Sequence, residues 1–557
     1  MDRVHVPQGR EDSPFVRAHR DELFPVLTEA QVARIAPVAR ERRFADGESL
    51  WEAGDRGISF FVVLEGEIAI LSGADELVTV HGLRQFSGDV DLLSGRPVVA
   101  RARARGATRV LEVVNERFRA LIQADPQLGE TLLRAFLMRR SALMAAGLGR
   151  VVLIGSRFSA GTLALQEFLT RNAVPYANLD VERDADVQTT LDGFGVGVDD
   201  IPVVICRGAR VLKKPTIEEV AGCLGLNAVN EGVVRDVVVV GAGPAGLASA
   251  VYAASEGLDA LILEASAPGG QAGSTTRIEN YLGFPSGISG QLLASRALVQ
   301  AEKFGAELAV ARTAASLACE RRPYRVDLGD TSVQARTVII ATGVQYRKPE
   351  LPDLARFIGV GVYFGATPLE GALCAGEDVV VVGGGNSAGQ AAVYLSGVGR
   401  HVTMLVRGAA LSETMSRYLI RRIEETPNIR LLTSRRITSL EGNGHLERVT
   451  WEGADGDATI AHVRHVFLMT GADPNTAWLK NCVVLDAKGF VKTGPDLGRE
   501  ELAAARWPLP RPPMLFETSL PGVFAVGDVR ASSVKRVAAA VGEGSVCVQL
   551  VHKVLAE

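Results

Sequence analysis

Apolar and polar positions along this chain fall into successive regimes with different periods. From Phe44 onward, short alternating segments such as SFFVVLEGEIAI and LVTVHG are broken by glycine. Turn signals about every eight to twelve residues of this kind predict a β-barrel or jelly roll. The apolar stretch Leu121 to Leu148 then reads as helix closing that domain. Between Arg150 and Asn227 the pattern changes to strand Val151–Gly155, helix Thr162–Asn172, strand Tyr176–Val181, a helical stretch, strand Val203–Cys206, a hairpin and a last helix. That is an α/β order. Beyond it stand two runs of four valines, Val237–Val240 and Val379–Val382, each opening directly into glycines. A continuous β-branched run bounded by glycine reads as a strand buried on both faces of a parallel sheet.

The glycines carry the chemistry. GAGPAG supplies Gly241, Gly243, Pro244, Ala245 and Gly246, and GGGNSA supplies Gly383, Gly385, Asn386, Ser387 and Ala388. At a strand-to-helix junction the missing side chains let backbone N–H groups and the positive helix end approach a pyrophosphate. Two such loops in one chain imply two dinucleotides, hence a flavin reduced by a nicotinamide. After the first loop the run Leu261–Leu263 ends at Glu264, the placement of a carboxylate that accepts from an adenosine ribose hydroxyl. This assigns the first loop to FAD. After the second, the strand His401–Leu405 runs into Val406 and Arg407 with no acid, and Arg417 follows. Paired arginines of this kind clamp a 2′-phosphate, which favours NADPH over NADH.

From about residue 232 onward the chain resembles the low-molecular-weight thioredoxin reductases. The resemblance is carried by APGGQAGSTTRIENYLGFP from Ala267, IIATG from Ile339 and PGVFAVGDVRASSVKRVAAAVGEG from Pro521, in that order with the two loops. It implies that Gly269, Gly270, Gln271 and Asn280 line the flavin, together with Thr342 and Gly343 of the IIATG segment. It places Gly527 and Asp528 at the ribityl chain and Arg536, Val537 and Ala538 along the ring. It also implies a nicotinamide domain, residues 346–471, inserted in a flavin domain of residues 234–345 and 472–557, with TGADPN at Thr470 marking the return, and a homodimer. The chain departs from the family where the family's Cys-x-x-Cys would be. Gly365 to Leu369 occupy that place, and no Cys-x-x-Cys occurs anywhere in the sequence. A thiolate beside a partner thiol is what forms and resolves a mixed disulfide. Cys374, the nearest thiol, reads as a small core residue.

The alternating region, residues 1–148, resembles cyclic-nucleotide-binding domains. Asp89 stands where the family has the ribose-binding Glu, and Val98 follows Pro97 where it has the phosphate-binding Arg. Arg96 and Arg101 are the nearest substitutes. Ordinary cAMP or cGMP binding is therefore not expected, because an unpaired buried phosphate is costly. Residues 149–228 resemble thioredoxin or glutaredoxin folds, with Ile201-Pro202 before a strand where those folds carry a cis proline. The dithiol position holds SRFSAGT, Ser156 to Thr162, and Cys206 and Cys223 read as buried bystanders.

Composition narrows the picture. The 557 residues suffice for three or four domains, and 47% apolar with 22% charged residues is that of a globular protein. A formal net charge of −4 gives no reason to expect nucleic acid or an anionic membrane as partner. Six cysteines without framework spacing point to a reducing compartment. The start MDRVHVPQGREDSP has no apolar segment, and no apolar run is long enough to span a bilayer, so a cytoplasmic location is expected.

The expected fold is α/β: two Rossmann-like domains, the NADPH domain inserted in the FAD domain, preceded by a barrel and a thioredoxin-like domain. The expected function is an NADPH-dependent FAD oxidoreductase whose electron acceptor, a redox protein or small molecule, is not legible. No catalytic acid, base or nucleophile and no metal ligand is nominated. Three other readings stay open: a disulfide reductase using an external dithiol, a ferredoxin- or quinone-type electron-transfer reductase, and a sensor responsive to NADPH or to a nucleotide.

Overall fold

The computed structural model describes residue 16 and residues 19–72, 75–88, 90–145, 151–156, 159–183, 197–206 and 210–557. Its chain divides into two compact units. The first comprises residues 1–157, 164–229 and 298–312, the second residues 158–163, 230–297 and 313–557.

In the first unit the alternating region forms an antiparallel sheet. The long strand Arg101–Val113 pairs with Arg40–Phe44, Ser49–Trp51 and Phe60–Leu71, and Phe60–Leu71 also pairs with Leu77–His81. Successive residues of a strand face opposite sides. Phe61 accordingly joins Phe44, Trp51, Val63 and Val98 in one cluster. Its neighbour Phe60 joins Phe86, Phe118 and Phe136 in another. The helix expected over Leu121 to Leu148 is two helices, Asn115–Ala124 and Pro126–Ala145. The break falls at Asp125, whose side chain accepts from Leu128 N at 3.1 Å, while Pro126 opens the second helix. Proline is tolerated in a first helical turn and not inside one. Residues 146–148 of that expectation lie outside the described residues.

The following module is a four-stranded sheet in the order Tyr176–Asp180, Val151–Gly155, Val203–Cys206, Arg210–Lys213. The first pair is parallel and the other two antiparallel. Helices Ala160–Arg171 and Ile217–Leu224 accompany it, and the Ile201-Pro202 bond is cis as expected. The helical stretch expected after Val181 falls mostly on residues outside the described ones. The segment 298–312 joins this unit through its apolar residues. Val299 enters the Phe60 cluster, and Val310 and Ala311 pack with Leu153, Phe168 and Val204.

The second unit holds two parallel sheets. In one, Val234–Val240 lies between Ala260–Glu264 and Ser332–Ile340, and Val523–Ala525 adds to the far side of Ser332–Ile340. An antiparallel extension runs on through Tyr324–Asp327 and Ser316–Ala318. In the other the order is Val362–Tyr363, His465–Leu468, Asp378–Val382, His401–Val406, Ile429–Thr433. Both valine runs are central strands with almost no exposure, as expected of strands covered on both faces. The chain crosses from one sheet to the other and back through Val344–Tyr346 and Ala472–Pro474, which pair antiparallel.

Candidate functional site

The first glycine loop links the strand Val234–Val240 to the helix Pro244–Ser255, with Gly243 as N-cap and Pro244 at the first turn. A Cβ on Gly246 would collide with the carbonyl oxygen of Gly241, so the helix approaches the strand end more closely than any side chain allows. The Gly-Gly-Gln turn sits directly against this loop. Gly269 N donates to Ala242 O at 2.7 Å, and a Cβ on Gly270 would lie 3.1 Å from Gly243 Cα. Gly527 closes the same cradle from the C-terminal segment, where an added Cβ would lie 2.9 Å from Ala245 Cβ. Glycines from three distant segments thus converge on one place, the cradle that a dinucleotide's pyrophosphate requires.

Glu264 ends its strand beside the loop. Its carboxylate accepts from Ala242 N at 2.7 Å, Ser266 N at 2.9 Å and Ala267 N at 3.2 Å. Gln271 donates its side-chain amide to Val344 O, and Thr342 Oγ1 donates to Asn475 O at 2.8 Å, which fixes Thr342 and Gly343 against the returning chain. Asn280 is exposed. Asp528 is held above the usual carboxylate range by burial, offset in part by Lys535. Arg536 is the N-cap of the helix Val537–Ala556, so Val537 and Ala538 offer first-turn N–H groups at its positive end.

The second loop is built alike. Gly383 has φ 149°, and a Cβ there would strike Met469 O, while Asn386 to Ala388 begin the helix Asn386–Ser396. The stretch carrying the arginines is tied to this loop: Thr414 Oγ1 donates to Gly384 O at 2.8 Å, and Ser416 N donates to Asn386 Oδ1 at 2.7 Å. Arg407, just past the strand His401–Val406, and Arg417, at the start of the helix Arg417–Glu425, are both exposed. Tyr346, on the strand that crosses between the two sheets, reaches the second loop: its phenol bonds to Ser387, and its ionisation is pushed up chiefly by burial. Arg422 pairs with Glu279 at 3.0 Å between the same two halves.

Where the resemblance would put a dithiol, Thr367 caps the short helix Pro368–Leu373 with a capping box. Leu369 N donates to Thr367 Oγ1 at 3.2 Å, and Thr367 N donates to Glu370 Oε2 at 2.8 Å. Cys374 follows, fully buried, with its thiol pushed up to about 11 by burial. A protonated, enclosed thiol is an inert one. Cys206 and Cys223 are likewise buried.

One expectation about sulfur is overturned. Cys319 and Cys482 form a disulfide with Cα atoms 5.8 Å apart, so the six cysteines are not all thiols. Their sequence separation of 163 residues spans the inserted sheet, which is why no local spacing announces the pair. Sequence reasoning also missed Glu543. Its carboxylate accepts from Gly527 N at 2.7 Å and pairs with Arg530 at 2.7 Å, holding the Gly-Asp segment from the helix behind it. A lone Glu in a helix carries no local signal of that role.

In the barrel, Val98 is 7% exposed and packed with Trp51 and Phe61, so the position of the family's phosphate-binding Arg is apolar core. The two substitutes are engaged elsewhere. Arg101 pairs with Asp75 at 2.8 Å, and Arg96 donates to Asn172 O at 3.5 Å. Asp89 lies outside the described residues. Among the described residues no cluster of side chains suits a metal ion, and no helix is long and apolar enough to cross a membrane.

Fold and site together define a flavoprotein oxidoreductase with one FAD site and one NADPH site. Residues 235–544 match the family model described as pyridine nucleotide-disulphide oxidoreductase, and the chain belongs to that family. Residues 41–125 match the cyclic nucleotide-binding domain model. The chain is 31% identical over 332 residues to a thioredoxin reductase of Bacillus subtilis, covering 59% of this chain and 97% of that protein. It is 30% identical over 312 residues to one component of the alkyl hydroperoxide reductase of Staphylococcus epidermidis, covering 56% of this chain and 57% of that protein. Among solved structures, the thioredoxin reductase of Lactococcus lactis in its FR conformation superposes with a TM-score of 0.52 at 27% identity, over 58% of this chain and 99% of that one.

Proposed function

We propose that this protein takes a hydride from NADPH onto FAD and passes the electrons to an acceptor that approaches the flavin directly, without a thiol pair in the nicotinamide domain. The observation that carries the proposal is the segment Gly365 to Leu369, where a Thr367-capped helix and a buried, protonated Cys374 stand in place of a dithiol. FAD, when bound, supplies the hydride acceptor. The chain's own residues bind and orient. Glu264 fixes the first loop and takes the ribose hydroxyl, Asp528 and the first turn at Val537 hold the ribityl end, and Arg407 with Arg417 select the 2′-phosphate. The paired strands Val344–Tyr346 and Ala472–Pro474 form the hinge about which residues 346–471 present the nicotinamide.

Residues 149–228 are read as a thioredoxin-like domain without its dithiol, supported by the order of their four strands. That domain favours a second reading, reduction of an external disulfide at the flavin. The chain is read as a homodimer. The test is anaerobic reduction by NADPH followed by stopped-flow mixing with thioredoxin, ferredoxin, quinones and oxygen. Rapid reoxidation by a quinone, ferredoxin or oxygen supports the proposal. Turnover of thioredoxin disulfide that is abolished by Cys374→Ser overturns it.

A further inference from the structure

One ion pair joins the two sheets of the second unit. Glu279 lies in the segment just before Asn280, and Arg422 lies on the helix Arg417–Glu425. Arg422 Nη1 donates to both carboxylate oxygens of Glu279, at 3.0 Å each. Neither end is loose. Glu279 follows Ile278, which exchanges backbone bonds of 2.7 and 3.0 Å with Ile288. Arg277, on the other side of Ile278, donates Nε to Ser286 O at 3.0 Å and stands 3.4 Å from the Glu279 carboxylate. At the far end, Leu419 and Ile423 bury one face of the Arg422 helix among Val406, Met415 and Phe467 of the second sheet's core. Arg421 pairs within that helix with Glu425 at 2.7 Å, whereas Arg422 reaches across.

Both ends lead to dinucleotide loops. The helix of Arg422 begins at Arg417 and is tied to the second glycine loop by the bond from Ser416 N to Asn386 Oδ1 at 2.7 Å. Tyr418 on the same helix bonds to Gln390 on the helix that this loop opens. The segment of Glu279 returns to the Gly-Gly-Gln turn, since Gly290 N, two residues past Ile288, donates to Thr275 O at 2.8 Å. A second link takes a different route: Gln271 donates to Val344 O, and Tyr346 at the end of the same strand bonds to Ser387 of the second loop. These are side-chain links that can let go, and release is inexpensive for Glu279. When the helix moves off, the carboxylate keeps Arg277, so no unpaired charge is left behind.

We propose that Glu279 and Arg422 are positioning residues of the hydride step: their ion pair catches the inserted segment, residues 346–471, against the segment that lines the flavin, and so raises the fraction of molecules that present the nicotinamide. The catch rests on the NADPH-to-FAD reading and is indifferent to the acceptor. Its strength follows from exposure. The Arg422 side chain is 46% exposed and that of Glu279 26%, so water competes for both. Exposed pairs of this kind shift an equilibrium by about two- to fivefold at most. A catch of that size holds without locking, which suits a step that must also admit NADPH and release NADP+. Exposure also makes it sensitive to salt, because the Debye length shrinks from about 10 Å at 0.1 M to about 3 Å at 1 M.

The test uses the full-length, FAD-loaded protein. Anaerobic stopped-flow mixing with NADPH gives the limiting rate of flavin bleaching and, from its saturation, the Kd for NADPH. Glu279→Gln and Arg422→Gln should each lower the limiting rate about two- to fivefold while the Kd stays within about twofold. The double variant should be no slower than either single one, because both remove the same interaction. Raising salt from about 0.1 to about 1 M should bring the wild type down to the rate of the variants and leave the variants nearly unchanged. The contact is also read without turnover: in Arg422→Lys, a carbodiimide should join the introduced amine to the Glu279 carboxylate as an amide, with loss of water, and mass spectrometry should find the cross-linked peptides. Wild-type limiting rates in both single variants, slowing that adds up in the double variant, or a raised Kd in Arg422→Gln beside an unchanged limiting rate overturns the catch. An absent cross-link overturns the contact whatever the flavin does. A wild-type flavin that NADPH fails to bleach overturns the hydride reading instead, and the catch with it.

Discussion

Replacing Glu264 by Gln tests the FAD site where its geometry is most demanding. The carboxylate serves three backbone donors, Ala242 N at 2.7 Å through one oxygen and Ser266 N at 2.9 Å and Ala267 N at 3.2 Å through the other. A Gln amide has one oxygen. In the cheaper orientation it keeps the two bonds to Ser266 and Ala267 and turns its NH2 toward the Ala242 N–H, donor against donor. One charge-assisted bond is then lost, at about 1.5 to 3 kcal/mol. Ala242 belongs to the phosphate-binding loop, so the loss falls on FAD affinity. Apoprotein titrated with FAD, followed by quenching of flavin emission, should show a Kd raised about ten- to a hundredfold. A Kd within a factor of two of wild type would refute the assignment of this loop and this acid to FAD.

Four further outcomes are expected. Arg407→Ala should cost roughly ten- to a hundredfold in NADPH affinity with little change for NADH, the range for a lost charge-assisted bond; equal use of both nucleotides by the wild type would sink the 2′-phosphate reading. Thiol titration of the unfolded, unreduced chain should count the four free cysteines, and six after reduction; six before reduction would refute the Cys319–Cys482 bond. Anaerobic titration should bleach the flavin with a single equivalent of NADPH, unchanged in Cys374→Ser, and a second equivalent that vanished in that variant would make Cys374 a redox partner after all. Calorimetry should find no low-micromolar binding of cAMP or cGMP, since Val98 is sealed in the barrel core; replacing Val98 by Arg and gaining a micromolar site would show that the missing cation alone was responsible.

What could be read from the sequence was local. Four valines followed by glycines declare a buried strand and a phosphate loop within ten residues, and Glu264 follows one strand later, so the loops and their acid were visible without any tertiary knowledge. Arg407 was visible by contrast, as the residue standing where an acid would have been. The break at Asp125 was written in Pro126, which cannot sit inside a helix, but apolar periodicity runs on through it, and the cap on Leu128 N shows where the second helix opens. The Cys319–Cys482 bond depends on segments that meet only after the second sheet has been inserted between them, and the role of Glu543 depends on its helix folding back onto Gly527 and Arg530.

That bond has a topological consequence. Cys319 precedes the outgoing crossing Val344–Tyr346 and Cys482 follows the returning one, so the whole segment between the crossings is one arc of a closed covalent ring. A protease that nicks any single peptide bond along the arc opens the ring without dividing the molecule. The cut protein should run at its full mass on a non-reducing gel and separate into two pieces only after reduction. Because the ends stay tethered, the two pieces also remain at high effective concentration for one another. In an oxidising setting, then, a clipped copy keeps the parts of its flavin cradle together, since the Gly241 loop and the Gly527 segment lie on opposite sides of any such cut.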